Sequence, residues 1–305
     1  VDQPNRPPTT RTSSSQQHDR RYRPQGGLNE VSTITRADHG SVDTASVVRK
    51  LGGWLMEVTL NVVDRPGGTN TSHTIAVELL TSLCSEVPAG ASRDEYRRMA
   101  IEENLLGKAT AAGRKRAYRY LRELYVLDPT ELLFRCLRDL WDEDPADRPL
   151  IAGLVAYARD SVFRASANAI FSAERGATVT SGDLAQAVTT FYPGVYSPAT
   201  ANKIGRNTGS SWTQTGHLAG RARKTRTQAM AGPASLALAL FLGHLQGSRG
   251  QALLSTPWIA FLDVSKNEID ELVDKASVRG YIETRSAGNV LEFGFSHLQR
   301  PMKGA

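Results

Sequence analysis

Between Ser197 and Arg226 the chain carries Lys203, Arg206, Arg221, Arg223, Lys224 and Arg226, and no Asp or Glu. Cations at that density, with no acid among them, are costly to leave together unless a polyanion meets them. Arg206, Asn202 and Asn207 add side chains of the kind that read guanine and adenine edges. The chemistry implied is recognition of nucleic acid, with phosphate contacts dominant and sequence preference weak. The alternative for the same residues is a solvated basic loop after an ordinary helix. A second basic run holds Arg114, Lys115, Arg119 and Arg122, and positions 115, 119 and 122 share one helical stripe. It is expected to be a secondary phosphate-contact surface, against the alternative of a solvated helix face.

Residues for bond-making chemistry are not grouped in the sequence. There is no HExxH, no GxSxG and no H-x-E with a CxxC partner. The stretch Gly67-Gly68-Thr69-Asn70-Thr71-Ser72 has the look of an anion loop but lacks the lysine of a P-loop. The histidines at 18, 39, 73, 217, 244 and 297 are scattered, and His217, beside the basic segment, reads as a surface residue. Cys84 and Cys136 lie in apolar surroundings without ligand spacing and read as buried, reduced thiols of a reducing compartment. A protein without catalytic, metal or cofactor sites is therefore expected.

The elements that must position the cations follow from caps and periodicity. Ser197 is a good N-cap and Pro198 a natural first helical residue. They open a short polar helix over 199–208, with Trp212 as an anchor near its end and a break at Gly216. With the basic run that follows, this predicts a helix-turn-helix whose polar helix faces the major groove. Farther on, Thr256-Pro257 starts a short helix, and Ser265 with Glu268 forms a capping box for the next. Ile269, Leu272, Val273 and Ala276 give that helix one apolar face, and Gly280 stops it. Two alternating runs, 281–285 and 290–295, then form a hairpin. Helix, turn, helix and two-stranded wing is the order of a winged helix. Glu268, Asp270, Glu271 and Asp274 make its second helix acidic, a poor face for phosphates, which suits a protein contact or a purely structural winged helix.

The rest of the chain reads as helical scaffold. Residues 1–44 are rich in Pro, Ser, Thr, Gln and Arg and predict a disordered basic tail. Val47, Val48, Leu51, Leu55, Val58 and Leu60 predict a helix over 45–63, weakened by Gly52-Gly53. Further helices are expected over 72–86, 92–105, 111–125, 130–141, 149–174 and 181–191, with 142–147 an acidic loop. The run 233–243 is apolar nearly all round, which fits a buried core helix and is too short for a bilayer. With 305 residues, a net charge of +6 and no apolar leader or span, the chain reads as cytoplasmic, without a membrane partner. The fold class expected is mainly α: a helical, bundle-like protein with helix-turn-helix and C-terminal winged-helix elements. Its expected divisions are a tail over 1–44, a helical domain over 45–192 and a nucleic-acid-binding domain over 193–300.

In four places the sequence resembles the BrxA family of bacterial BREX phage-defence systems, together spanning about residues 48–298. They are Gly53 to Glu57; Glu103 to Thr110 with Arg114 to Tyr120; Ser197 to Leu218; and Leu253 to Trp258 with the hairpin behind it. The resemblance implies a non-enzymatic, double-stranded-DNA-binding accessory protein working beside other BREX subunits. Two other readings stand beside it: a winged-helix transcriptional regulator, and a protein–protein adaptor that does not bind DNA.

Overall fold

The structure is a computed structural model describing strands Val47–Leu51 and Trp54–Val58 and residues 65–300 apart from 289. The chain divides into two units, 1–44 and 45–305. The tail expected over 1–44 lies outside the described residues. The described part is mainly helical, and among those residues no helix is long and apolar enough to cross a membrane.

The helix expected over 45–63 is instead an antiparallel pair, β1 (Val47–Leu51) and β2 (Trp54–Val58), in register Val47↔Val58 and Leu51↔Trp54. Its sequence has two signals. The apolar spacing is near-helical, but Val47, Val48, Trp54 and Val58 favour strands, and the Gly-Gly pair between the two runs is a hairpin signal. The local turn chemistry outweighs the periodicity.

The helical body starts with a single 3-10 turn, Thr69–Thr71, and α1 (Val77–Glu86), which opens five residues later than expected because Ala76 is left-handed, with φ 53°. Next come α2 (Arg93–Ile101), capped by Ser92, and α3 (Ala111–Tyr125), capped by Thr110. Then follow α4 (Leu132–Trp141) and α5 (Arg148–Arg159). The helix expected over 149–174 is divided into α5, α6 (Ser161–Ala165) and α7 (Ala167–Phe171). Asp160 is the reason: its backbone is extended, and its carboxylate accepts the Phe163 N–H, so it restarts the chain as an N-cap.

The core is built around two helices. α5 is buried along nearly its whole length, and every residue of α10 (Pro233–Leu245) is buried. A helix apolar all round needs neighbours on all sides, and α10 packs against α4, α5, α11 (Pro257–Phe261) and α12 (Lys266–Val278). Asp147, expected in an acidic loop, is buried at the start of α10. Its carboxylate accepts the Gly232 and Ser235 N–H groups at 2.9 and 2.8 Å, where the helix dipole favours an anion. After α12 come β6 (Glu283–Ala287), β7 (Val290–Gly294), paired Glu283↔Gly294, and α13 (Ser296–Gln299).

The basic segment sits between these parts. A two-residue strand, β3 (Thr178–Val179), precedes α8 (Ser181–Phe191), and α9 (Pro198–Gln214) follows after a turn. The chain then forms β4 (Leu218–Ala219) and β5 (Lys224–Arg226). The three strands make an antiparallel sheet in the order β3-β5-β4. α8 and α9, which lie on either side of residue 192, pack directly on each other.

α9 runs past the expected end at Thr208 to Gln214. Thr208 and Thr213 turn their hydroxyls back onto the Ile204 and Gly209 carbonyls, which hides polar groups on a helix that must pack closely. At Gly205 a Cβ would stand 2.0 Å from the Ser181 carbonyl oxygen. Gly205→Ala is therefore expected to force α8 and α9 apart at a cost of about 2–3 kcal/mol, more than the helix propensity gained. A thermal melt should read this as a fall of roughly 5–10 °C in Tm. An unchanged Tm would show that the crossing yields easily.

Candidate nucleic-acid interface

α9 is held by its apolar and small residues: Ala201, Ile204, Gly205, Thr208 and Trp212 are buried. The opposite side carries Asn202, Lys203 and Arg206, all exposed. Behind α9, Gly216 at φ 82° turns the chain into β4, and Gly220 at φ 98° turns it again toward β5. A side chain at Gly220 would stand 2.2 Å from the Arg223 carbonyl oxygen, so the 220–223 turn requires glycine. That turn presents Arg221 and Arg223 to solvent. Arg223 donates to Thr178 Oγ1 at 3.1 and 3.0 Å, which ties the turn to β3 and fixes the direction of the guanidinium. Lys203, Arg206, Arg221 and Arg223 are thus the exposed cations of this segment.

Lys224 is half-buried. Its ammonium donates to Thr213 Oγ1 at 2.8 Å and to the Gly220 carbonyl, and burial pushes its pKa down. It braces the turn against α9 rather than extending into solvent.

Two expected contact residues are turned inward. Arg226 is buried, donates to the Ile170 carbonyl at 2.9 Å, and grips the Asp263 carboxylate through Nη1 and Nη2 at 2.9 and 2.8 Å. A guanidinium so occupied cannot reach a phosphate. Asn207 is half-buried, its amide donating to the Asn70 carbonyl at 3.0 Å, so it reads no base.

The partner of Asn207 belongs to the loop that resembled an anion cradle. That loop holds an anion of the chain itself: the Asn70 N–H and side-chain amide donate to Asp160 at 2.8 and 3.0 Å. A Cβ on Gly68 would come within 2.6 Å of the same carboxylate. Ser211 donates to Asn70 Oδ1 at 2.6 Å, so the loop is bolted to α9.

On α3, Arg114 is a structural residue. Its Nη1 donates to the Ile101 carbonyl at 3.1 Å, closing the end of α2 as C-terminal cations do. Lys115, Arg119 and Arg122 stay exposed and line a groove facing Arg93 and Arg97 of α2. Sequence reading passed over those two arginines, although their four-residue spacing is the same stripe signal seen on α3.

His217, read as a surface residue, is buried. Nε2 faces the Phe261 carbonyl oxygen and so carries the proton, while Nδ1 meets the Thr215 hydroxyl, both at 2.8 Å. Burial, with a smaller contribution from the Arg226 charge, pushes its pKa down to about 4. Since the unfolded value is about 6.5, the unfolded chain binds the extra proton between those limits. The stability owed to neutral His217 is complete above pH 6.5 and lost as pH falls to 4, by up to roughly 3 kcal/mol. Asp147 and Asp160, raised by burial, act in the opposite sense. The His217 part is read as a difference: wild type should lose more Tm between pH 7 and pH 5 than His217→Gln. Equal losses would refute a neutral His217.

The acids Glu268, Asp270, Glu271 and Asp274 of α12 are exposed, and Ser265 and Glu268 form the expected capping box. Both cysteines are buried, and burial raises the pKa of each thiol. No protein-family model matches the chain, and no curated protein matches it in sequence.

Proposed function

We propose that the protein binds duplex DNA, with α9 against the major groove and the 220–223 turn on the adjoining backbone. One observation carries this reading: an exposed helix face with Lys203 and Arg206 stands beside a glycine-built turn presenting Arg221 and Arg223. The order β3–α8–α9–β4–β5, with strands in the order β3-β5-β4, supports reading the segment as a winged helix. The order α10–α11–α12–β6–β7 supports a second such unit at the C-terminal end. The exposed acids of α12 make that second unit unfit for phosphate, and they favour a protein contact there. Arg, Lys and few base-reading side chains imply binding with weak sequence preference.

The resemblance to BrxA proteins adds the biological setting: a non-enzymatic accessory subunit of a BREX-type defence system. A transcriptional regulator would use the same surface, and only a marked preference for one operator-like duplex would favour it.

The test is binding of wild-type protein to duplexes of unrelated sequence across a salt series. Four phosphate contacts predict a log–log slope near −3.6, with micromolar binding at low salt. Absence of binding at micromolar protein and low salt would overturn the proposal and favour the adaptor reading.

A further inference from the structure

α2 and α3 run antiparallel. Arg114, near the start of α3, caps the last turn of α2, while Arg93, the first residue of α2, lies by Tyr118 of α3. Between the two helices is a groove of about 870 Å³. Arg93 and Arg97 line one side, and Lys115, Arg119 and Arg122 line the other. Steps of three and four residues advance about 4.5–6 Å along a helix, comparable to the distance between successive phosphates of a nucleic-acid strand. Two facing rows of cations at that interval suit a linear polyanion, whereas a compact anion would meet one end only.

The acids of the groove do not cancel this field. Asp94 and Asp128 stand at the end where α2 begins. Glu102 and Glu123 hold Arg97 and Arg119 at 3.4 and 3.7 Å in exposed pairs, which contribute little and which a phosphate can replace. The remaining lining is partly apolar, from Ile101, Tyr118 and Pro129. A duplex keeps its bases stacked inside and offers such a surface only its backbone, whereas an unpaired strand offers both phosphates and base faces.

We propose that the groove between α2 and α3 binds one unpaired nucleic-acid strand, its phosphates on the two cation rows and its bases toward Ile101, Tyr118 and Pro129. The groove shares no residue with the duplex surface of α9 and the 220–223 turn, so the two readings fail separately.

The experiment is fluorescence anisotropy with a labelled DNA oligonucleotide free of self-pairing and with the same oligonucleotide annealed to its complement. Wild type is compared with Arg93→Ala/Arg97→Ala/Arg122→Ala, whose three positions are exposed, and melting checks that the fold is retained. The triple variant should bind the single strand about tenfold more weakly, with a salt slope about two units shallower, at roughly 0.7 per contact. Its duplex affinity should stay within about twofold. Unchanged single-strand binding overturns the proposal. An equal loss on both DNAs also overturns it, and assigns the groove to the duplex interface. Wild type that binds duplex but no single strand sinks this inference alone, and the converse sinks the duplex reading alone.

Discussion

Replacing Arg206, Arg221 and Arg223 together with Ala is expected to flatten the salt dependence of duplex binding by nearly three units. Each lost phosphate contact removes about 0.9 from the slope of log affinity against log salt. The three side chains are exposed on α9 and its neighbouring turn, and Arg221 makes no hydrogen bond or ion pair among the described residues. Their removal should therefore weaken unrelated duplexes about equally, since backbone contacts position the protein without reading sequence. Melting should change little beyond the loss of the Arg223–Thr178 hydrogen bonds, because exposed charges contribute little to stability. Lys224 is left in place: it braces the turn, and its loss would mix a structural effect with an electrostatic one. A triple variant with the wild-type slope would move the duplex surface elsewhere, first to the groove between α2 and α3.

Arg226→Met is expected to do the reverse, leaving the salt slope of duplex binding unchanged while lowering stability by about 3–5 kcal/mol. The guanidinium holds both oxygens of Asp263 and the Ile170 carbonyl, and so joins β5 to the turn before α12. Met fills the space of the stem but leaves a nearly buried carboxylate with only the exposed Arg175, 3.8 Å away, as a cation. Breaking one side of such a pair costs far more than replacing both. Tm should fall by roughly 10 °C. The double variant Arg226→Met/Asp263→Asn should recover a substantial part of that loss. Asn is the suitable replacement because position 263 has φ 58°, which Asn tolerates and apolar side chains do not. A single variant as stable as wild type would show the pair to be dispensable. One that also lost salt dependence would return Arg226 to the DNA surface.

What was legible before folding is local. Ser92, Thr110, Ser197 and Ser265 cap the helices they precede because a hydroxyl satisfies an N–H only three residues on. The limits of α3 and α8 follow from the same short-range chemistry. The burial of α10 follows from an apolar surface that leaves no side for water. Charge type is equally local, so an acid-free stretch over 197–226 marks a cationic surface in any fold.

Which of those cations face water was decided by contacts distant in sequence. Arg226 is claimed by Asp263, 37 residues on, and Asn207 by Asn70, 137 residues back. His217 is enclosed by a carbonyl 44 residues away. Periodicity places a side chain on a face of its own element but carries no information about what packs there. The groove between α2 and α3 arises in the same way: each helix shows its own cationic stripe, and only their antiparallel packing sets the two rows opposite each other. The sequence by itself determined the helical elements, their caps and the sign of the surface charge. Tertiary structure alone decided which charges became internal partners and which stayed exposed, because a buried polar group must find its complement wherever the fold brings one within reach.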